Sequence, residues 1–120
     1  GEDFIGTSNV CLILGDNIFY GSGFEEIINF NKNKFKGAKI VSYAVPDPQN
    51  YGVIEYKGVQ IKKIIEKPEK PKSYEIITGI YFYDNDVLKL VKKLKPSKRN
   101  ELEITDLNNL YLKFPHNFLY

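Results

Sequence analysis

The run Val10-Cys11-Leu12-Ile13-Leu14 is short enough to be a single strand, and it stops abruptly at Gly15-Asp16-Asn17. Its length, β-branched content and terminating glycine predict a parallel strand covered on both faces. Periodicity alone leaves a short buried helix open as the alternative. In α/β proteins the carboxyl end of such a strand opens into the crevice where ligands bind, so pattern alone makes Asp16 the leading site residue.

The 120 residues allow one domain at most, and a hydrophobic content of 42% is enough for a core. The chain begins at Gly1, contains no Met and closes on Phe118-Leu119-Tyr120, which predicts a piece of a longer protein. Seventeen basic against 15 acidic residues give a net charge of +2, too mild for a nucleic-acid or membrane surface. Cys11 is the one cysteine, so no internal disulfide can form; its place in the apolar run predicts a buried, inert thiol. No apolar stretch approaches the ~18 residues of a membrane span, and Gly1 to Asn9 lacks the features of a signal peptide. A cytoplasmic soluble domain is the expectation.

Along the chain, Gly21-Ser22-Gly23 precedes a helical pattern over 24–30, with Phe24, Ile27 and Ile28 on one face and Glu25 and Glu26 in the first turn. Lys32, Lys34 and Lys36 mark its solvated exit. A strand pattern over 38–45 ends at Pro46-Asp47-Pro48-Gln49-Asn50, where the prolines force a loop. Tyr51-Gly52 closes that loop, and the glycine serves either a tight turn or the close approach of a ligand. Val53 to Tyr56 and Val59 to Ile65 flank Lys57-Gly58 as a hairpin that delivers Glu66-Lys67-Pro68 at its end. That carboxylate and ammonium can hold a hydroxyl and a phosphate together, although such pairs are common surface charges.

Glu75 to Tyr83 is the longest strand pattern, and Gly79 within it predicts a bulge or a close approach. Asp84-Asn85-Asp86 supplies N-caps for a helix over 87–94 with Val87, Leu90, Val91 and Leu94 on its apolar face. After the basic linker 95–100, Thr105 is the expected N-cap of a last helix whose core face is Leu107, Leu110, Tyr111 and Phe114. Asp106 reads as a first-turn acid that favours the helix dipole rather than as a ligand. His116 has no partner in the pattern that would make it a general base. The chain carries no repeat, no metal-ligand cluster of Cys and His, and no serine-nucleophile motif.

Five ordered blocks carry a resemblance. Leu14-Gly15-Asp16-Asn17-Ile18-Phe19-Tyr20-Gly21, Asp47-Pro48 with Tyr51-Gly52-Val53, Glu66-Lys67-Pro68, Thr78-Gly79-Ile80-Tyr81-Phe82-Tyr83-Asp84, and Arg99 with Glu101-Leu102-Glu103-Ile104-Thr105-Asp106 are similar to the bacterial glucose-1-phosphate thymidylyltransferases, within the sugar nucleotidyltransferases. The resemblance implies an α/β, Rossmann-like nucleotidyltransferase fold with a mixed, mainly parallel sheet flanked by helices and incomplete here. It implies transfer of a deoxythymidylyl group from dTTP to α-D-glucose 1-phosphate with release of pyrophosphate, on the route to dTDP-sugars such as dTDP-rhamnose.

By the same resemblance Asp16 binds Mg2+, and Asp16, Lys67 and Arg99 act in catalysis. Tyr51, Gly52, Glu66, Lys67, Ile77, Thr78 and Arg99 hold the sugar phosphate. The family's glycine-rich nucleotide loop and its second metal-binding aspartate are absent, so residues 1–120 are expected to be the central part of one domain and inactive alone. Asn100 stands where relatives often carry glycine. The implied partners are dTTP and glucose 1-phosphate, with no nucleic acid or membrane, and a homo-oligomer in the full-length protein. Three other readings are a uridylyl- or adenylyltransferase of the same superfamily, a non-catalytic sugar-phosphate-binding module, and a single-strand RNA binder. The last conflicts with tyrosines that fall at core spacing rather than as a stacking platform.

Overall fold

The computed structural model describes residues 1–15, 23–30, 35–98, 100–113 and 118–119. In chain order the elements are α1 (Glu2–Ile5), β1 (Val10–Ile13), α2 (Phe24–Phe30), β2 (Ala38–Ala44), β3 (Gly52–Lys57), β4 (Gln60–Glu66), β5 (Glu75–Tyr83), α3 (Val87–Val91), α4 (Ile104–Leu112) and β6 (Phe118–Leu119). A short 3-10 turn, Pro48–Asn50, leads into β3, where the prolines had predicted a loop. No described helix is long and apolar enough to cross a membrane.

The sheet runs β4-β3-β5-β2-β6, with β1 also paired to β5. β5 is the axis, and all but its Glu75 and Thr78 are buried, as expected of a strand with neighbours on both edges. The α/β class and the mixed sheet stand. The expectation of a mainly parallel sheet does not hold among the described pairs: β1·β5, β2·β5, β3·β4 and β3·β5 are antiparallel, and β2·β6 alone is parallel. The reason is topological. β1 and β2 run in the same direction, joined through α2, but β5 lies between them and runs the other way.

Two further expectations are corrected at β1. Cys11 is exposed, and so are Leu12 and Ile13, because β1 is paired with β5 alone among the described strands and is not a central strand. Partial desolvation raises the Cys11 thiol pKa.

The hairpin forms as patterned, with Gly58 at φ 63° supplying the left-handed turn between β3 and β4. Gly79 lies in a bulge. From Ile40↔Tyr81 to Ser42↔Ile77 a two-residue step on β2 faces a four-residue step on β5, and the Thr78 hydroxyl fills the gap by donating to the Val41 carbonyl at 2.8 Å. On the other edge of β5 the Leu14 N–H donates to the Gly79 carbonyl at 2.9 Å, fixing the end of the β1 segment.

The core joins Ile54, Ile64 and Tyr83 of the sheet to Val87 and Leu90 of α3 and Leu107 and Tyr111 of α4. α3 is shorter than expected. Asp86 sits at its N-cap without a capping hydrogen bond, pairing instead with Lys36 at 3.0 Å and Lys89 at 3.8 Å. α4 is capped at Glu103, so Thr105 lies inside the first turn and not at the N-cap. Asp106 is exposed there, as a dipole-favouring acid should be. Phe114 and His116 lie outside the described residues.

Candidate functional site

The start of β3, the end of β4 and the first turn of α4 meet at one corner of the sheet. Gly52 and Glu66 are ladder partners, and the Lys67 N–H extends the ladder one step by donating to the Tyr51 carbonyl at 2.9 Å. Lys67 has a φ of 44°. A non-glycine residue in this left-handed region is strained by roughly 1–2 kcal/mol, and such strain persists where neighbours over-determine the chain and often marks a functional turn. Here the ladder holds one side and Pro68 the other. Tyr51, Glu66 and Lys67 are all exposed.

Gly52 resolves an ambiguity of the sequence. Its backbone is not left-handed, so the turn explanation does not apply. A Cβ there would sit 2.8 Å from Ile77 Cδ1 and Cγ1 and 3.2 Å from Glu66 Oε2. Only hydrogen at this position lets the β5 side chain and the Glu66 carboxylate close on the β3 backbone.

Helix α4 supplies the third wall. The Thr105 hydroxyl donates to Glu66 Oε2 at 3.0 Å, and Thr105 is buried. One turn later, Asn109 accepts the Ile64 N–H at 2.9 Å and donates to the Ile64 carbonyl at 2.8 Å. β4 ends the sheet on this side, so the Asn109 amide takes the place of a further strand and satisfies backbone groups that would otherwise have no protein partner.

The corner therefore unites Tyr51, Gly52, Glu66, Lys67 and Ile77 of the residues expected from sequence. Thr78 is not drawn in, since its hydroxyl is spent on β2 at the opposite edge of β5. Asp16 and Arg99 lie outside the described residues. Their neighbours are placed: Leu14 is tied to Gly79, and the loop beside Arg99 is closed by Asn100 N–H to the Ser97 carbonyl at 2.8 Å and Ser97 N–H to the Glu101 carbonyl at 2.7 Å. Asn100 has a φ of 59°. Asparagine is among the few residues that enter this region readily, so it can follow a path that suits glycine.

Thr105 and Asn109 were missed as site-builders. The available signal was two polar residues spaced i, i+4 beside the apolar face of α4, which on that face require partners. Chemically the corner offers an exposed carboxylate with one oxygen unbonded among the described residues, an adjacent ammonium and an apolar wall. Such a set suits a ligand with hydroxyls and an anionic group. Among the described residues no group of three or more His, Cys, Asp or Glu could hold a metal ion.

Residues 1–120 match the family described as Nucleotidyl transferase. Among curated proteins, the chain is 50% identical to the glucose-1-phosphate thymidylyltransferase of Neisseria gonorrhoeae over 114 residues, covering 94% of this chain and 40% of that protein. It is 43% identical to the Mycobacterium tuberculosis protein of the same name, covering 93% of this chain and 39% of that one. The chain thus spans about two fifths of the length of these relatives. Among solved structures, a Bacillus anthracis protein assigned as a glucose-1-phosphate thymidylyltransferase, in complex with a sucrose, superposes with a TM-score of 0.82 at 45% identity, covering 99% of this chain and 48% of that one. A UDP-glucose pyrophosphorylase complexed with UDP-glucose gives 0.72 at 25% identity, covering 94% and 48%.

Proposed function

The chain belongs to the nucleotidyl transferase family, and from that premise we propose that it is the central, sugar-binding part of a glucose-1-phosphate thymidylyltransferase. The complete protein joins dTTP to α-D-glucose 1-phosphate, giving dTDP-glucose and pyrophosphate for dTDP-sugar synthesis such as dTDP-rhamnose. It acts as a cytoplasmic homo-oligomer. The observation that carries the reading is the corner itself. Glu66, exposed and held by a single described hydrogen bond, faces Ile77 across the β3 backbone at a glycine that leaves no room for a side chain.

In this reaction an oxygen of the sugar phosphate attacks the α-phosphorus of the triphosphate in line, and the bond to the pyrophosphate oxygen breaks. No protein nucleophile is needed; the demands are positioning and charge compensation between two polyanions. Glu66 accepts sugar hydroxyls and fixes the ring, Tyr51 and Ile77 flank it, and Lys67 and Arg99 compensate the phosphate. Thr78 belongs to the same strand, and since its hydroxyl proton goes to the Val41 carbonyl, its side chain can offer the pocket only an acceptor lone pair and a methyl group. Mg2+ needs few protein ligands, since this hard ion seldom takes an all-protein cage and is commonly held by one or two carboxylates plus substrate phosphates and water. Asp16 would hold it, and when bound it supplies Lewis-acid stabilisation of phosphate charge.

The test is pyrophosphate release by the complete enzyme with dTTP, UTP or ATP and glucose 1-phosphate. Turnover is expected with dTTP, and Asp16→Asn should lower kcat by at least about 100-fold, the scale of a lost metal ligand. Preference for UTP or ATP would move the protein to the uridylyl- or adenylyltransferases. Unchanged turnover and magnesium dependence in Asp16→Asn would remove Asp16 from the metal.

A further inference from the structure

We propose that Thr105 is a positioning residue for the sugar. Its hydroxyl holds the Glu66 carboxylate in the orientation that receives sugar hydroxyls, and Asn109 sets the height of α4 that puts Thr105 there. This deepens the reading of Glu66 as the sugar acceptor and rests on it.

A glutamate at the exposed end of an edge strand would ordinarily sample many rotamers, and its terminal torsion is broad. Two contacts remove that freedom here. Gly52 on β3 lies so close that a Cβ would be 3.2 Å from Oε2, and the Thr105 hydroxyl donates to the same oxygen at 3.0 Å. Oε2 is thereby fixed between strand and helix, and Oε1 receives no hydrogen bond among the described residues. Thr105 suits this task because β-branching restricts it to two χ1 rotamers in a helix and, at 6% exposure, the packing around it selects between them. Its hydroxyl position is therefore set before any ligand arrives.

The register that brings the two side chains together has its own cause. Thr105 and Asn109 lie one helical turn apart, about 6 Å along α4. Ile64 and Glu66 lie two residues apart on β4, about 6.7 Å, on the same outward edge. Asn109 grips the Ile64 backbone through both its amide atoms, so α4 can neither slide nor rotate without breaking two hydrogen bonds. With that grip in place, the Thr105 hydroxyl meets the Glu66 carboxylate. The helix is the ruler against which the carboxylate is aligned.

The experiment uses the complete enzyme. Thr105→Val keeps the shape and removes the hydroxyl; it should raise KM for glucose 1-phosphate about tenfold, the scale of one hydrogen bond to a charged group, and leave KM for dTTP within about twofold. Thr105→Ser should bring the sugar-phosphate KM back to within about threefold of the parent, a rescue that a purely structural role would not need the hydroxyl to give. Glu66→Ala should raise the same KM, and Thr105→Val added to Glu66→Ala should raise it no further. Thr105→Ala replaces Thr105→Val if the valine variant does not fold. An unchanged sugar-phosphate KM in Thr105→Val beside a raised one in Glu66→Ala, or additive effects in the double variant, overturns the positioning role and leaves Glu66 as the acceptor. An unchanged KM in Glu66→Ala overturns the reading of Glu66, and the positioning role with it.

Discussion

Helix α4 presents polar groups to two places in the molecule, and the two are finished to different degrees. At its first turn, Thr105 gives one hydrogen bond to Glu66, an exposed carboxylate whose other oxygen has no hydrogen bond among the described residues. Farther along, Asn108 and Tyr111 enter a buried cluster, in which Asn108 Nδ2 has no partner among the described residues but both oxygens of the Asp84 carboxylate do. Tyr83 donates to Asn108 Oδ1 at 2.7 Å, and Tyr111 donates to Asp84 Oδ1 at 2.9 Å. The Gly37 N–H donates to Asp84 Oδ2 at 2.6 Å, and the Tyr83 and Tyr111 rings stack at 5.4 Å. Asp84 is 4% exposed, and both its oxygens are engaged. A carboxylate so completely engaged has nothing left for a ligand; its work is to register β2, β5 and α4. The carboxylate left half-satisfied at the surface is the one equipped to bind.

The largest effect that can break this contrast is expected from Asp84→Ala. It would leave the Gly37 N–H and the Tyr111 hydroxyl buried without their acceptor, at about 1–3 kcal/mol each, so the complete protein should lose about 3 kcal/mol of stability in urea unfolding. Its sugar-phosphate KM should change little wherever the protein remains folded. A loss below about 1 kcal/mol would mean that the cluster does not register the fold.

The second effect belongs to the same cluster and is read by pH. Burial first, and then the neighbouring Asp84, raise the Tyr111 phenol above its ordinary 10.0. Burial first, and then Tyr81, raise that of Tyr83 above the same value. Between pH 10 and those higher values the folded state still holds protons that the unfolded state has released. Stability from these phenols is therefore complete below pH 10 and falls as pH rises above it, by about 1.4 kcal/mol for each pH unit per phenol held protonated. Phenolate absorbance followed beside circular dichroism should show a fraction of tyrosines ionising only as the structure is lost, and Tyr111→Phe should shrink that fraction. Full ionisation near pH 10 with the dichroism intact would contradict the buried character of the cluster.

The sequence was legible where one residue type has one use. The strand in the apolar run before Gly15, the hairpin around Gly58 that delivers Glu66, and the irregularity at Gly79 all follow from local chemistry, and the structure carries them. It was opaque where the use is set by a partner distant in the chain. Thr105 reads as an N-cap because threonine caps helices, and its real partner lies 39 residues away. Asp86 reads as a cap in the same way and instead meets Lys36, just before the neighbouring strand β2 and 50 residues away in the chain. Cys11 looked buried because its run is apolar, but burial depends on which edge a strand occupies, and composition does not encode that.

The smallest expected effect completes the contrast. Glu66 is exposed, and among the described residues it makes one hydrogen bond, from the Thr105 hydroxyl. Glu66→Ala takes the acceptor from one buried hydroxyl, where Asp84→Ala takes it from two buried donors, so it should change urea stability of the complete protein by only about 1 kcal/mol. The same substitution should weaken sugar-phosphate binding by about 1.5–3 kcal/mol, the scale of hydrogen bonds to a charged acceptor. Asp84→Ala is expected to give the reverse ratio. A Glu66→Ala protein that lost as much stability as Asp84→Ala, with sugar-phosphate binding intact, would make the open carboxylate another structural tie and leave the corner without its ligand-facing group.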